Sequence, residues 1–243
     1  MTASDMERRQ TRSVVELRAA SDTILRIGGY AAKFNTLSQN LGGFVERIAP
    51  GFFDKSAGDG WPGMMARYNH ELLLGTTAAE SLRLNIDDTG LDYEVDLLDD
   101  ADSTRVHKLV ARGDVRQSSF AFYTYEDDWA MTEQGFPLRT LISGRGVDVA
   151  PVDQPAYLDT STGLRSLAEA RGIDVSEVEQ MARANELAKI LTVPPVVIDL
   201  GAGLTANARS TDSTDDGQDE THPDLGRLHA LRHALEMKRH LPV

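Results

Sequence analysis

Alternation of apolar and polar positions is clearest between Ser81 and Leu98. Leu82, Leu84 and Ile86 alternate with polar residues, and Leu91, Tyr93, Val95 and Leu97 do the same on the return. A period of two marks strands with one buried face. Asp87-Asp88-Thr89-Gly90 supplies turn chemistry between them, so the segment predicts a β-hairpin. Upstream, Ile24 to Phe34 reads as a strand in which Gly28 and Gly29 mark a bulge or a close approach. Phe44-Val45-Glu46-Arg47-Ile48 reads as a second strand, and Ala49-Pro50-Gly51-Phe52-Phe53-Asp54 as one helical turn entered through proline. Downstream, Asp102 is placed to cap a helix that carries Val106, Leu109 and Val110 on one face and ends at Gly113. Strand patterns return from Val115 to about Tyr125, at Leu138 to Ser143, and at Val147 to Val152, closed by Pro155-Ala156-Tyr157.

Outside this β-rich stretch the texture changes. Residues 1–22 mix both charge signs without sustained periodicity and read as a mobile arm or a weak helix. After Thr162 the pattern turns helical, and Ser176 with Glu179 suggests a capping box ahead of Val178, Met181, Leu187 and Leu191. The expected layout is an arm (1–22), a body (23–163), a helical extension (164–201), an acidic disordered linker (202–221) and an amphipathic C-terminal helix (222–243). Many short strands with a few short helices predict an α+β, β-rich body, drawn as a small closed or partly closed β-barrel.

Composition narrows the function classes. Hydrophobic residues make up 41% of the 243, and no stretch approaches the roughly 18 apolar residues of a membrane span. The polar N-terminus lacks a signal-peptide core. A net charge of −13 repels phosphate backbones, which argues against nucleic-acid binding and leaves no reason to expect membrane binding. With no cysteine there is no disulfide, thiolate nucleophile or thiolate metal site. No phosphate-binding glycine loop is present, and no cofactor is implied. His229, His233 and His240 stand on the C-terminal helix, but nothing completes a metal site, and a solvated face opposite Leu228, Leu231 and Leu235 accounts for them.

Candidate chemistry lies in two segments. Arg67-Tyr68-Asn69-His70-Glu71 offers a histidine in a polar loop, and Gln117-Ser118-Ser119-Phe120-Ala121-Phe122 offers hydroxyls inside an apolar strand. A serine hydroxyl becomes a nucleophile when an imidazole takes its proton. Alternation puts Ser118 on the face of Phe120 and Phe122, and Ser119 on the face of Ala121, where small neighbours leave room for a substrate carbonyl. Ser119 is therefore the preferred nucleophile and Ser118 the second choice. His70 is the candidate base, with His107 on the short helix as a second choice. The carboxylate that would hold the imidazole is Asp148, set between Val147 and Val149, with Asp153 and Glu71 as weaker options. Arg139 and Arg145 are the nearby cations considered for an oxyanion site. For each of these residues the bland alternative is a locally bonded strand serine or a solvated surface side chain.

Taken in order, Gly29-Tyr30-Ala31-Ala32-Lys33-Phe34-Asn35, Phe44 to Phe53, Tyr68-Asn69-His70-Glu71, Gly90-Leu91, Gly113-Asp114-Val115, Ser119-Phe120-Ala121-Phe122, Asp148-Val149-Ala150 and Pro155-Ala156-Tyr157 resemble the prohead proteases of tailed phages. That family is related in fold to the herpesvirus maturational proteases. The resemblance spans about residues 24–160 and makes 23–163 the protease domain. It implies a serine endopeptidase with Ser119 as nucleophile, His70 as general base and Asp148 as third member. Ala121 stands where the family has glycine, and Asp148 where glutamate is expected. The implied partners are the major capsid protein with its scaffolding segment, and the chain itself through autocleavage and homodimerisation. The implied setting is the immature capsid in the host cytoplasm, with the C-terminal tail as a targeting element or self-cleaved segment. An inactive relative serving as a capsid scaffold or assembly protein is the alternative.

Overall fold

The structure, a computed structural model, describes residues 5–18, 24–153 and 161–192, all within one unit, Met1–Val196. Pro155-Ala156-Tyr157, and the segments expected to be a linker and a C-terminal helix with His229, His233 and His240, lie outside those residues. Among the described residues there are ten strands: β1 Glu7–Val14, β2 Glu16–Leu17, β3 Arg26–Lys33, β4 Val45–Ile48, β5 Met65–Tyr68, β6 Leu72–Thr76, β7 Leu82–Ile86, β8 Gly90–Asp96, β9 Gln117–Met131 and β10 Pro137–Val152. They form two sheets. One runs β1-β9-β10-β5-β6, with β4 also paired to β10, and the other runs β2-β3-β8-β7. Neither sheet closes on itself among the described residues, so the expected barrel is not found and the β-rich α+β class is.

The predicted hairpin is β7–β8, and Asp87 makes its turn by accepting the Thr89 and Gly90 amides through Oδ1 at 2.7 and 3.0 Å. The two separate strands expected after residue 137 are one continuous strand, β10, which pairs antiparallel with β9 along its length. On its other edge β4 pairs in parallel with Leu138–Leu141 and β5 with Asp148 and Val149. Residues 7–17, expected in an arm or weak helix, instead supply an edge strand to each sheet. Their mixed charge misled because Glu7 and Arg9 of β1 are buried.

These two residues belong to a buried ion network. Arg9 binds Glu7 and Glu46 at 2.6 and 2.8 Å, and Arg139 binds Glu7, Glu46 and Asp127 at 2.7, 3.0 and 2.6 Å. It ties β1, β4, β9 and β10 together. Burial alone would raise the pKa of Glu7, but Arg139, its hydrogen bonds and Arg9 outweigh this and hold the carboxyl below its ordinary 4.5. A depressed folded-state pKa contributes stability that is present above the ordinary value and lost as pH falls through the folded one. Acid titration followed by circular dichroism should therefore show the wild type losing stability below about pH 4.5, with a shallower fall in Glu7→Gln.

Helix α1 (Asp54–Gly58) follows a 3₁₀ turn that Pro50 opens. The turn drives Phe52 and Phe53 into the core against Phe122 and Phe120, with centroids at 5.4 and 5.8 Å. Helix α2 (Ala101–Arg112) is capped by Asp100, which accepts the Ser103 amide at 2.7 Å, so the cap lies ahead of Asp102. It ends at Gly113 with φ 85°, a left-handed value that suits glycine. Helices α3 (Ser161–Arg171), α4 (Val175–Arg183) and α5 (Ala188–Leu191) form the helical extension. Asp174, rather than Ser176, caps α4. A second apolar cluster joins α3 and α4 to Phe44 and Trp129 of the β body.

Candidate active site

The nucleophile segment owes its geometry to β9. Phe120 and Phe122 face the core, and Ser118 shares that side: its Oγ lies 3.3 Å from the Tyr93 hydroxyl, wholly buried. Ser119 takes the other face, as alternation predicts. Ser118→Ala should leave peptidase activity within about twofold of wild type and cost about 1 kcal/mol of stability, since it removes one ordinary core hydrogen bond. Activity assay and thermal melting check both.

His70 sits at the tip of the β5–β6 hairpin, whose two strands were not legible in the sequence. Asn69 and His70 adopt φ of 53° and 61°, and the Glu71 amide donates to the Tyr68 carbonyl at 3.0 Å, closing a tight turn. Consecutive left-handed residues without glycine are sparsely populated, and such strain concentrates at functional sites. The turn directs the imidazole across β10 toward β9.

Asp148 reaches the same spot from β10. The ladder with β9 shifts register between Gly146 and Asp148, a bulge of the kind that re-aims side chains. Asp148 then lies directly opposite Ala121, and Ala150 opposite Ser119. The small side chain of Ala121 keeps this face open between carboxylate and hydroxyl.

The three groups form one chain of hydrogen bonds. His70 Nδ1 is 2.6 Å from Asp148 Oδ1, and His70 Nε2 is 2.7 Å from Ser119 Oγ. A carboxylate can only accept, so Nδ1 carries the hydrogen and Nε2 presents a lone pair to the hydroxyl. The His70 and Asp148 side chains are 5% and 6% exposed, which keeps water from competing for this pair. Ser119 has no exposed surface, and its Oγ also lies 3.0 Å from the Arg9 carbonyl, a second acceptor for its single hydrogen. A peptide therefore reaches Oγ only after a local opening.

Other candidates fall elsewhere. His107 lies on α2, where burial lowers its pKa, and takes no part in this chain of hydrogen bonds. Asp153 accepts the Tyr68 hydroxyl at 2.7 Å, and Glu71 is exposed. Arg139 is committed to the ion network and Arg145 is exposed, so neither points to an oxyanion site. Among the described residues no group of acidic or histidine side chains is arranged to hold a metal.

Residues 11–173 match the model of a family described as caudovirus prohead serine protease. The chain belongs to the caudovirus prohead serine protease family. Its matched region reaches further at both ends than the motifs quoted above, taking in the second half of β1 and all of α3. Among solved structures, the bacteriophage T4 capsid assembly protease aligns with a TM-score of 0.38 and 8% identity, over 60% of this chain and 98% of that one. No curated protein matches the chain. Within the prohead protease family, then, this member brings a serine, a histidine and an aspartate within hydrogen-bond reach of one another. The Arg9 carbonyl had no signal in the sequence, because it is a backbone atom brought in by β1. The Asn69-His70 turn did have one, since asparagine is among the few non-glycine residues that tolerate positive φ.

Proposed function

We propose that this protein is a serine endopeptidase that matures the phage prohead by cutting scaffolding segments from the major capsid protein, and that it also cuts itself. The observation that carries the reading is the continuous Ser119–His70–Asp148 chain, at 2.7 and 2.6 Å. In the forward step His70 Nε2 takes the Ser119 proton as Oγ bonds to the scissile carbonyl carbon, and the oxygen becomes an oxyanion held by backbone N–H donors. The imidazolium so formed is stabilised by Asp148 and returns its proton to the departing amine. The C–N bond then breaks and leaves an acyl-enzyme, which water hydrolyses with His70 again as base. Capsid proteins as partners, and the immature capsid within the host cell as location, follow from the family's role. Among the described residues no helix is long and apolar enough to cross a membrane.

An inactive assembly relative would have no use for a dry, fully paired imidazole, which favours the enzyme. Intact-mass analysis over time, with and without scaffold-bearing capsid protein, tests the reading. Wild type should generate cleaved products, and Ser119→Ala should leave both proteins whole. Products that form equally with Ser119→Ala would refute it.

A further inference from the structure

We propose that Asn69, Asp153 and Tyr68 form a clamp that positions His70, an inference that rests on His70 being the general base. The hairpin carrying His70 is weakly held to its neighbour. Only Met65 and Ala66 of β5 pair with β10, opposite Asp148 and Val149, and beyond Ala66 that ladder stops. The tip would then hang from the sheet at the point where the imidazole must span two strands.

Three hydrogen bonds restore the attachment. The Asn69 amide donates to the Pro151 carbonyl at 3.1 Å. The Asp153 amide donates to Asn69 Oδ1 at 3.1 Å. The Tyr68 hydroxyl donates to Asp153 Oδ2 at 2.7 Å. All three end on Pro151 or Asp153, at and just past the C-terminal end of β10, the strand that also carries Asp148. The clamp thus fixes the hairpin tip to the same strand as the carboxylate, and β10 in turn fixes Ser119 through the Ala150 pairing.

Asn69 serves twice. Its backbone takes the left-handed φ of 53° that starts the turn, and its side chain supplies the acceptor. Asparagine and aspartate can do both, glycine only the first, and alanine neither comfortably. A slip of about 1 Å at the tip would break the 2.6 and 2.7 Å contacts together, and displacements of that size cost on the order of 100-fold in rate.

The full chain and its variants would be treated with diisopropyl fluorophosphate. Ser119 Oγ bonds to phosphorus, the P–F bond breaks, fluoride leaves, and His70 takes the hydroxyl proton. The inactivation rate constant should fall roughly 10- to 100-fold in Asn69→Gly and Asn69→Ala, with the reagent's binding constant and the melting temperature little changed. Asn69→Asp should stay within about fivefold of wild type, and Tyr68→Phe should fall between. Proton NMR should show a downfield His70 Nδ1–H resonance in wild type and Asn69→Asp that weakens in Asn69→Gly and Asn69→Ala. Wild-type rates and an intact resonance in the glycine and alanine variants would overturn the clamp. An adduct that maps away from Ser119 in the wild type would instead overturn the underlying assignment of His70 and Ser119.

Discussion

Asp148→Asn should lower peptidase activity about 10⁴-fold while the melting temperature stays within a few degrees. The amide matches the carboxylate in size, so packing opposite Ala121 is kept. What changes is the hydrogen-bond code. Asp148 Oδ1 can only accept, which obliges His70 Nδ1 to hold its hydrogen at 2.6 Å and leaves Nε2 free to act as base. An asparagine NH₂ group can donate to Nδ1, which moves the hydrogen to Nε2 and points it at Ser119. It also removes the negative charge that stabilises the imidazolium formed during attack. In a site where both side chains are about 5% exposed, water cannot substitute for that charge. The rate of cleavage, or of inactivation by a serine-directed reagent, measures the effect. A loss of less than about tenfold would mean that Asp148 does not set the tautomer.

The second large effect concerns stability. Arg139→Met should destabilise the protein by about 3–5 kcal/mol, because breaking one side of a buried ion network leaves unpaired charge behind. Arg139 has no exposed surface and contacts three carboxylates, those of Glu7, Glu46 and Asp127. Arg9 remains to serve Glu7 and Glu46, so the deficit falls mainly on Asp127 and on the second oxygens of the glutamates. For a chain of this size the loss corresponds to a fall of roughly 10 °C in melting temperature. Scanning calorimetry would show it. An unchanged transition would mean that the network does not hold β1, β4 and β10 together as described.

The same network explains what the sequence hid. Period-two alternation identified the β7–β8 hairpin, the serine strand and the face that Ser119 occupies, because each has apolar residues on its buried side. Residues 7–14 bury Glu7 and Arg9 instead, so a composition-based reading sends them to solvent. Only the pairing of opposite charges from β4 and β10, distant in sequence, makes their burial tolerable. Strands β5 and β6 were lost for another reason. They span only Met65–Tyr68 and Leu72–Thr76, and the residues between them are polar, so the segment looked like a loop around a histidine. The candidate site was more legible than the fold around it. Ser119, His70 and Asp148 were each named from local context and from the family resemblance, and the structure brings those three within hydrogen-bond reach. Ser118 and His107 lie outside that chain. Closure into a barrel was not legible, since two open sheets and one closed sheet share the same local alternation.

The claim on which most depends is that Ser119 is a nucleophile activated by His70. The most direct measurement is peptide mapping by mass spectrometry after exhaustive treatment of the full chain with diisopropyl fluorophosphate. Because Ser119 is buried, a local opening must precede labelling, so exhaustive treatment is read by which residue carries the adduct. A single adduct on Ser119 is expected, absent from His70→Ala and unaffected by Ser118→Ala. An adduct on Ser118 or any other residue, or equal labelling of His70→Ala, would contradict it.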